Sequence, residues 1–92
     1  MTRTDHTPII VAKKAAGVAA AHLVKDGMVV GLGTGSTAAF FIEELGKRCR
    51  EGLNISVVAS SHQSTLQAER LGIPLANANE ISSLDITVDG AD

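Results

Sequence analysis

The sequence predicts an α/β fold in which helices pack on both faces of a mostly parallel sheet. A short apolar run at residues 28–32 is bounded by glycines and lacks polar alternation, which is typical of a strand covered on both faces. Two further strand-like runs follow at residues 55–59 and 84–88. Because segments of helical periodicity separate the runs, we expect right-handed crossovers and a doubly wound sheet.

A first helix is predicted to begin at Thr7 and Pro8, which supply a cap residue and a proline at the first helical position. It is predicted to end at residues 25–27. Gly17 inside it costs about 1 kcal/mol relative to alanine, which indicates either close backbone packing or a tolerated irregularity. The predicted packing face is a stripe of mostly small side chains at helical spacing: Ala12, Ala15, Ala16, Ala19 and Leu23.

A second helix is predicted after the glycine loop that ends the first strand, with Gly52 as its stop. Its predicted buried face is Ala38, Phe41, Ile42, Leu45 and Cys49. On the opposite side the spacing favours two i to i+4 ion pairs, Glu43 with Lys47 and Glu44 with Arg48.

The rest of the chain completes the alternation of helices and strands. It reads as a strand at 55–59, a helix at 64–71 closed by Gly72, a brief strand at 73–75, a polar connection or single helical turn at 77–83, and a strand at 84–88. We therefore expect a three-layer, Rossmann-like fold. Because the chain stops directly after an acidic loop, the fold is expected to be incomplete at its C-terminus.

Composition excludes several classes of function. Eight Lys and Arg against ten Asp and Glu, with no Trp or Tyr, leave neither a basic patch nor a stacking platform, so no nucleic-acid partner is expected. Cys49 is the lone cysteine and no secretion signal is evident, which indicates a cytoplasmic protein. No apolar stretch approaches the roughly 18 to 20 residues of a membrane span, so no membrane partner is expected.

A glycine-rich loop at residues 31–37 joins the first strand to the second helix. Its glycines allow a tight turn, and the helix N-terminus presents unpaired N–H donors with a partial positive charge. The hydroxyls of Thr34, Ser36 and Thr37 suit the oxygens of a terminal phosphate. The alternative is that Ser36 or Thr37 is only an N-cap and the glycines only a turn.

Nucleotide cofactors fit this loop badly. A P-loop requires a lysine after its last glycine, where Ser36 stands. A dinucleotide site requires a carboxylate near the end of the second strand, and a methyltransferase interpretation meets the same missing acid. A nucleotide or S-adenosylmethionine enzyme is therefore disfavoured.

An acidic loop, Asp89-Gly90-Ala91-Asp92, follows the last strand. In open α/β sheets ligands bind outside the carboxyl ends of the strands, so this loop and the glycine loop should face one ligand. Because carboxylates repel phosphate, we expect the phosphate on the glycine loop and the hydroxyl or carbonyl carbons beside Asp89 and Asp92, which describes a sugar phosphate. The alternative is a plain Asp-Gly turn and a solvated terminal Asp92.

Several segments, taken in order, resemble type A ribose-5-phosphate isomerase. They are GLGTGSTA after the buried strand, SS near the second strand end followed by ST and then LGI, and VDGAD on a later strand. The resemblance runs from about residue 9 to residue 92. It implies that residues 1–92 are an N-terminal α/β sugar-phosphate-binding domain, or a fragment of a longer isomerase.

The resemblance implies an aldose-ketose isomerase of the non-oxidative pentose phosphate pathway. Such an enzyme interconverts D-ribose 5-phosphate and D-ribulose 5-phosphate through an enediolate, without metal or organic cofactor. The matching phosphate-binding residues are Thr34, Gly35, Ser36 and Thr37. Lys13 matches a family lysine that reaches the same group, although from the residues alone it reads as a solvated helix charge.

Asp89 and Asp92 match the paired catalytic acids of the family, which contact the sugar near the reacting carbons and help manage its hydroxyl protons. Gly90 and Ala91 complete this substrate-binding loop. In the family a lysine-bearing glycine loop and a glutamate base follow; neither lies within the 92 residues, so the isolated chain is expected to have little or no turnover.

The three histidines are not expected to take part in catalysis. His62 stands where some relatives carry Asp or another polar residue, and we expect it in a solvent-facing loop. His6 and His22 lack the spacing of metal ligands. A homo-oligomer is expected because a core this small gains from self-association. A noncatalytic sugar-phosphate-binding module on the same scaffold stays open as the alternative function.

Overall fold

The computed structural model describes residues 7–81 and 83–88. In this part of the chain four helices and three strands alternate: α1 (Thr7–Ala21), β1 (Val29–Leu32), α2 (Ser36–Arg50), β2 (Ser56–Ala59), α3 (His62–Leu71), a 3-10 helix (Ala78–Glu80) and β3 (Ile86–Val88). None of these helices is long and apolar enough to cross a membrane.

The three strands form one parallel sheet in the order β2-β1-β3. Val30 of the central strand lies opposite Val57 of β2 and Ile86 of β3. A parallel bridge between Val57 and Leu75 stands where the brief strand at 73–75 was predicted. The predicted α/β class with a parallel sheet is confirmed, and the carboxyl ends of all three strands meet at one edge.

The core lies between the sheet and α2. Phe41, Ile42 and Leu45 are at most 1% exposed and pack with Val30 and Val57 of the sheet. The apolar stripe predicted for α2 is therefore confirmed, with Ala38 also buried and Cys49 partly buried against the same cluster.

The packing face predicted for α1 is wrong. Ala12, Ala15, Ala16 and Ala19 are exposed, and Leu23 is 64% exposed. Gly17 is buried instead, and an ideal Cβ on it would lie 2.7 Å from the Thr37 carbonyl oxygen and 2.8 Å from the Phe41 nitrogen. Gly17 therefore lets α1 approach the first turns of α2 closely, the first of its two predicted interpretations.

Helix α1 also ends at Ala21, earlier than predicted. The Arg48 guanidinium of α2 donates to the Ala21 and Val24 carbonyl oxygens at 2.7 and 2.6 Å. These bonds satisfy carbonyl oxygens at the end of α1 and just beyond it.

Ion pairs along α2 were predicted, but its charged side chains instead form hydrogen bonds with residues outside α2. Glu43 accepts hydrogen bonds from Arg70 at 2.8 Å and Gln67 at 3.0 Å, both on α3. Glu44 lies 2.9 Å from His22, which follows α1. Together with the Arg48 contacts, these bonds make α2 the centre of the helical layer.

Helix α3 begins two residues before the predicted position. Ser61 is its N-cap, and the Ser61 Oγ accepts a hydrogen bond from the Ser64 backbone N–H at 3.0 Å. Gly72 ends the helix in the left-handed region at φ 74°, as predicted. His62 is consequently the first residue of a helix rather than part of a loop, and its side chain is exposed.

Candidate phosphate-binding site

The glycine loop leaves the central strand at the carboxyl edge of the sheet. Gly33 is buried, and its backbone N–H donates to the Val88 carbonyl oxygen at 2.9 Å, which ties the loop to the end of β3. Gly35 is the N-cap of α2, with φ 93° and ψ 170°. This backbone conformation is reached almost only by glycine, so Gly35 sets the direction in which α2 departs.

The alternative in which Ser36 or Thr37 serves only as the N-cap is wrong. Gly35 takes that position and supplies no side chain to cap the first-turn N–H groups. The first intrahelical bond runs from the Ala39 N–H to the Gly35 carbonyl oxygen at 3.0 Å. The N–H groups before Ala39 belong to the set that a helix cannot pair internally, and they start at the edge where ligands bind.

A cavity of about 290 Å³ adjoins this loop. Its walls come from the loop, from α2 and from the first turns of α3: Gly33, Thr34, Gly35, Ser36, Ala39, Ile42, Gln63, Ser64 and Gln67. The three α3 residues were not predicted as part of a site. The SS and ST segments are the sequence signal that could have identified this part of the site, since they place hydroxyl groups where β2 leaves the sheet.

Two serines around the start of α3 hold the base of the glycine loop. The Ser60 Oγ donates to the Leu32 carbonyl oxygen at 2.9 Å, and the Ser64 Oγ donates to the Gly33 carbonyl oxygen at 2.6 Å. Ser64 is only 4% exposed. The loop is thus fixed from β3 on one side and from the β2–α3 connection on the other.

Lys13 lies four residues before Gly17, which places it one turn earlier on the same side of α1. Gly17 contacts the backbone at Thr37 and Phe41, so α1 brings Lys13 toward the α2 N-terminus. The Lys13 side chain is half-buried, whereas Lys14 is exposed. Lys13 is therefore less exposed than its neighbour Lys14, and its role at the loop stays a prediction.

The predicted acidic residues Asp89 and Asp92, with Gly90 and Ala91, lie outside the described residues. The strand that precedes them ends at Val88, whose carbonyl oxygen accepts the Gly33 N–H. Among residues 7–81 and 83–88, no three His, Cys, Asp or Glu side chains come together as metal ligands would.

The pKa values of two side chains on α2 are shifted. The Gln67 hydrogen bond, together with Arg70, lowers the pKa of the Glu43 carboxyl against the opposing effect of burial. Burial raises the pKa of the Cys49 thiol, which the charge of Arg48 only partly offsets. Glu43 therefore stays ionised beside Gln67, and Cys49 behaves as a packing residue, as its position on the apolar stripe predicted.

Comparison with known proteins gives a consistent result. Residues 56–92 match the family described as ribose 5-phosphate isomerase A (phosphoriboisomerase A). The chain is 54% identical over all 92 residues to ribose-5-phosphate isomerase A of Protochlamydia amoebophila, and it spans 40% of that protein's length.

Solved structures agree with the sequence relatives. Ribose 5-phosphate isomerase A from Methanocaldococcus jannaschii is 48% identical with a TM-score of 0.82, covering 87% of this chain and 36% of that one. A D-ribose-5-phosphate isomerase in complex with phospho-erythronic acid is 43% identical with a TM-score of 0.80, over the same shares. In sequence and in fold, this chain matches the N-terminal portion of ribose-5-phosphate isomerase A, as its motifs predicted.

Proposed function

We propose that the protein interconverts D-ribose 5-phosphate and D-ribulose 5-phosphate, and that residues 1–92 form its sugar-phosphate-binding domain. The observation that carries the proposal is the loop at residues 34–37, in which the N-cap of α2 is a glycine at φ 93° that makes no side-chain cap hydrogen bond. Such an N-terminus binds anions through its N–H groups and its dipole. The related isomerase solved with phospho-erythronic acid holds a phosphorylated sugar acid, which fits this class of ligand.

In this proposal the phosphate is bound by Thr34, Gly35, Ser36 and Thr37, with Lys13 approaching from α1. The sugar carbons then extend toward the loop that follows Val88. The Gly33 N–H bond to the Val88 carbonyl oxygen, at 2.9 Å, supports this arrangement because it joins the start of one loop to the start of the other.

The chemistry proposed for the acidic loop is proton management. Isomerisation moves one proton between two adjacent carbons and requires that the sugar hydroxyls lose and regain protons on the way through the enediolate. Asp89 and Asp92 are proposed to contact these hydroxyls, within the substrate-binding loop that Gly90 and Ala91 complete. The base for the carbon-bound proton is proposed to lie outside residues 1–92.

The test is an isomerase assay on the protein encoded by the complete reading frame, with a chelator present. We expect ribose 5-phosphate to be converted, and Asp92→Asn to reduce kcat by about 100-fold or more, the range of a lost general acid or base. Competitive inhibition by inorganic phosphate should change little. Binding of ribose 5-phosphate without turnover in the wild type would favour the noncatalytic module instead.

We further propose that the protein acts in the cytoplasm as a homo-oligomer. A 92-residue unit buries only a modest share of its surface, so self-association would add to its stability. Light scattering of the protein from the complete reading frame would reveal a monomer if this is incorrect.

A further inference from the structure

We propose that Ser64 is a positioning residue for the phosphate loop and holds the peptide between Gly33 and Thr34 in the orientation that phosphate binding requires. The proposal rests on the proposed function in one respect, since it takes residues 34–37 as the phosphate site. Ser64 lines the cavity beside the loop, and its hydroxyl donates to the loop backbone.

The contact between Ser64 and the loop is short and buried. The Ser64 Oγ lies 2.6 Å from the Gly33 carbonyl oxygen, and the two residues are 31 positions apart in the sequence. Ser64 is 4% exposed, so water does not compete readily for the bond. A buried carbonyl left without this donor would be destabilised, which makes the contact a strong constraint on the loop.

A second serine sets the direction of the Ser64 proton. The Ser61 Oγ donates to the Ser64 Oγ at 3.0 Å and accepts from the Ser64 backbone N–H at 3.0 Å. The Ser64 hydroxyl thus accepts a hydrogen bond from Ser61 and donates one to the Gly33 carbonyl oxygen. Chains of hydrogen bonds of this kind strengthen one another in a buried setting.

The orientation of one peptide group follows from this bond. Because the peptide is planar and trans, the Gly33 carbonyl and the Thr34 N–H point in opposite directions. Holding the carbonyl toward the Ser64 hydroxyl therefore turns the Thr34 N–H away from that hydroxyl. The Gly33 N–H is bonded to Val88 at 2.9 Å, so the peptide groups on both sides of this flexible glycine are fixed.

The neighbouring residue Thr65 provides a matched control. Its hydroxyl donates to the Ser61 carbonyl oxygen at 2.9 Å, and this bond stays within the α3 N-terminal turn. Thr65→Val removes that bond with little change of volume. Ser64→Ala removes a bond of the same kind that reaches the glycine loop, so the pair separates loop positioning from helix stability.

The experiment measures kcat and KM for ribose 5-phosphate, the inhibition constant of inorganic phosphate, and the melting temperature, in protein from the complete reading frame. Ser64→Ala is expected to raise KM and the phosphate inhibition constant about three- to tenfold, the effect of one lost hydrogen bond, with kcat within about twofold of wild type. Thr65→Val is expected to leave KM and the inhibition constant unchanged. Equal values in the two variants would overturn the proposal.

Two further arms keep the test decisive. If Ser64→Ala does not fold, Ser64→Cys keeps nearly the same volume with a weaker donor, and an unchanged KM in that variant also overturns the proposal. If the wild type does not isomerise ribose 5-phosphate, the proposed function fails, and stabilisation by inorganic phosphate decides the role of Ser64. Weaker stabilisation of Ser64→Ala than of Thr65→Val then supports it; equal or absent stabilisation overturns it.

Discussion

Gly35 makes the strongest conformational demand in the glycine loop. Its φ of 93° and ψ of 170° lie in a region that costs other residues roughly 1 to 3 kcal/mol. Any residue with a Cβ at this position either strains the backbone or moves the first turn of α2. The geometry of the glycine loop therefore depends on a residue that has no side chain.

We expect Gly35→Ala to weaken inorganic phosphate binding at least about tenfold, because a shift of the α2 N-terminus misplaces several donors at once. Gly52→Ala is the control. Gly52 also has a positive φ, 113°, but lies beyond the other end of α2. Both variants should lose stability in chemical denaturation, and only Gly35→Ala should lose phosphate affinity; equal affinities would show that the loop conformation is not required.

At the scale of elements, the contact between α1 and α2 depends on Gly17. Glycine in an exposed helix is about 1 kcal/mol less favourable than alanine, so Gly17→Ala would ordinarily stabilise the protein. Here the added Cβ would lie 2.7 Å from the Thr37 oxygen and 2.8 Å from the Phe41 nitrogen. Backbone atoms move less readily than flexible side chains, and overpacking typically costs about 1 to 3 kcal/mol.

Gly17→Ala should therefore lower the free energy of unfolding, with the clash outweighing the gain in helix propensity. Urea denaturation measures this difference. Ala16→Ser, at an exposed position on the same helix, is expected to change it by less than about 0.5 kcal/mol. Stabilisation by Gly17→Ala would mean that α1 does not approach α2 as closely as described.

The link between α2 and α3 should depend on pH. Gln67 and Arg70 lower the pKa of Glu43 in the folded protein, so its contribution to stability is present above the unfolded value of about 4.3 and is lost as the pH falls through the lower folded value. The Glu43 side chain is 49% exposed, so the effect is only a few tenths of a kcal/mol.

Thermal unfolding of Glu43→Gln checks this contribution. The variant should melt slightly below wild type at pH 7, and the difference should shrink as the pH falls through the lowered folded pKa of Glu43, because the protonated glutamate and the glutamine are both uncharged. Glu69→Gln, at an exposed position of α3, is the control. A difference that persists undiminished at acidic pH would assign the effect to packing rather than to charge.

The elements differ in how far sequence predicts them. The face of α2 was predicted correctly because large side chains such as Phe41 and Leu45 carry a clear periodic signal. Helix α1 is rich in alanine, whose small side chains give no clear periodic signal. Its buried face is identified instead by Gly17, which packs closely against α2. At the end of α1, the carbonyls accept hydrogen bonds from Arg48, which lies 24 to 27 residues away in the sequence and so leaves no local pattern.

At the scale of the molecule, the sheet order explains why the site lies where it does. With β1 between β2 and β3, the loop leaving β1 contacts the connection that follows β2 and the last residue of β3. Ser64 reaches it from one side and the Val88 carbonyl from the other. The glycine loop was predictable because its residues are adjacent in sequence, whereas the Ser64 contact arises only from the parallel pairing of two strands.

The proposed function requires that the substrate phosphate bind at residues 34–37. Its most direct test is a crystal structure of the protein from the complete reading frame with ribose 5-phosphate bound. We predict the phosphate oxygens within hydrogen-bond distance of the backbone N–H groups and hydroxyls of Thr34, Ser36 and Thr37. A phosphate bound elsewhere, with this loop empty, would contradict the proposed phosphate site.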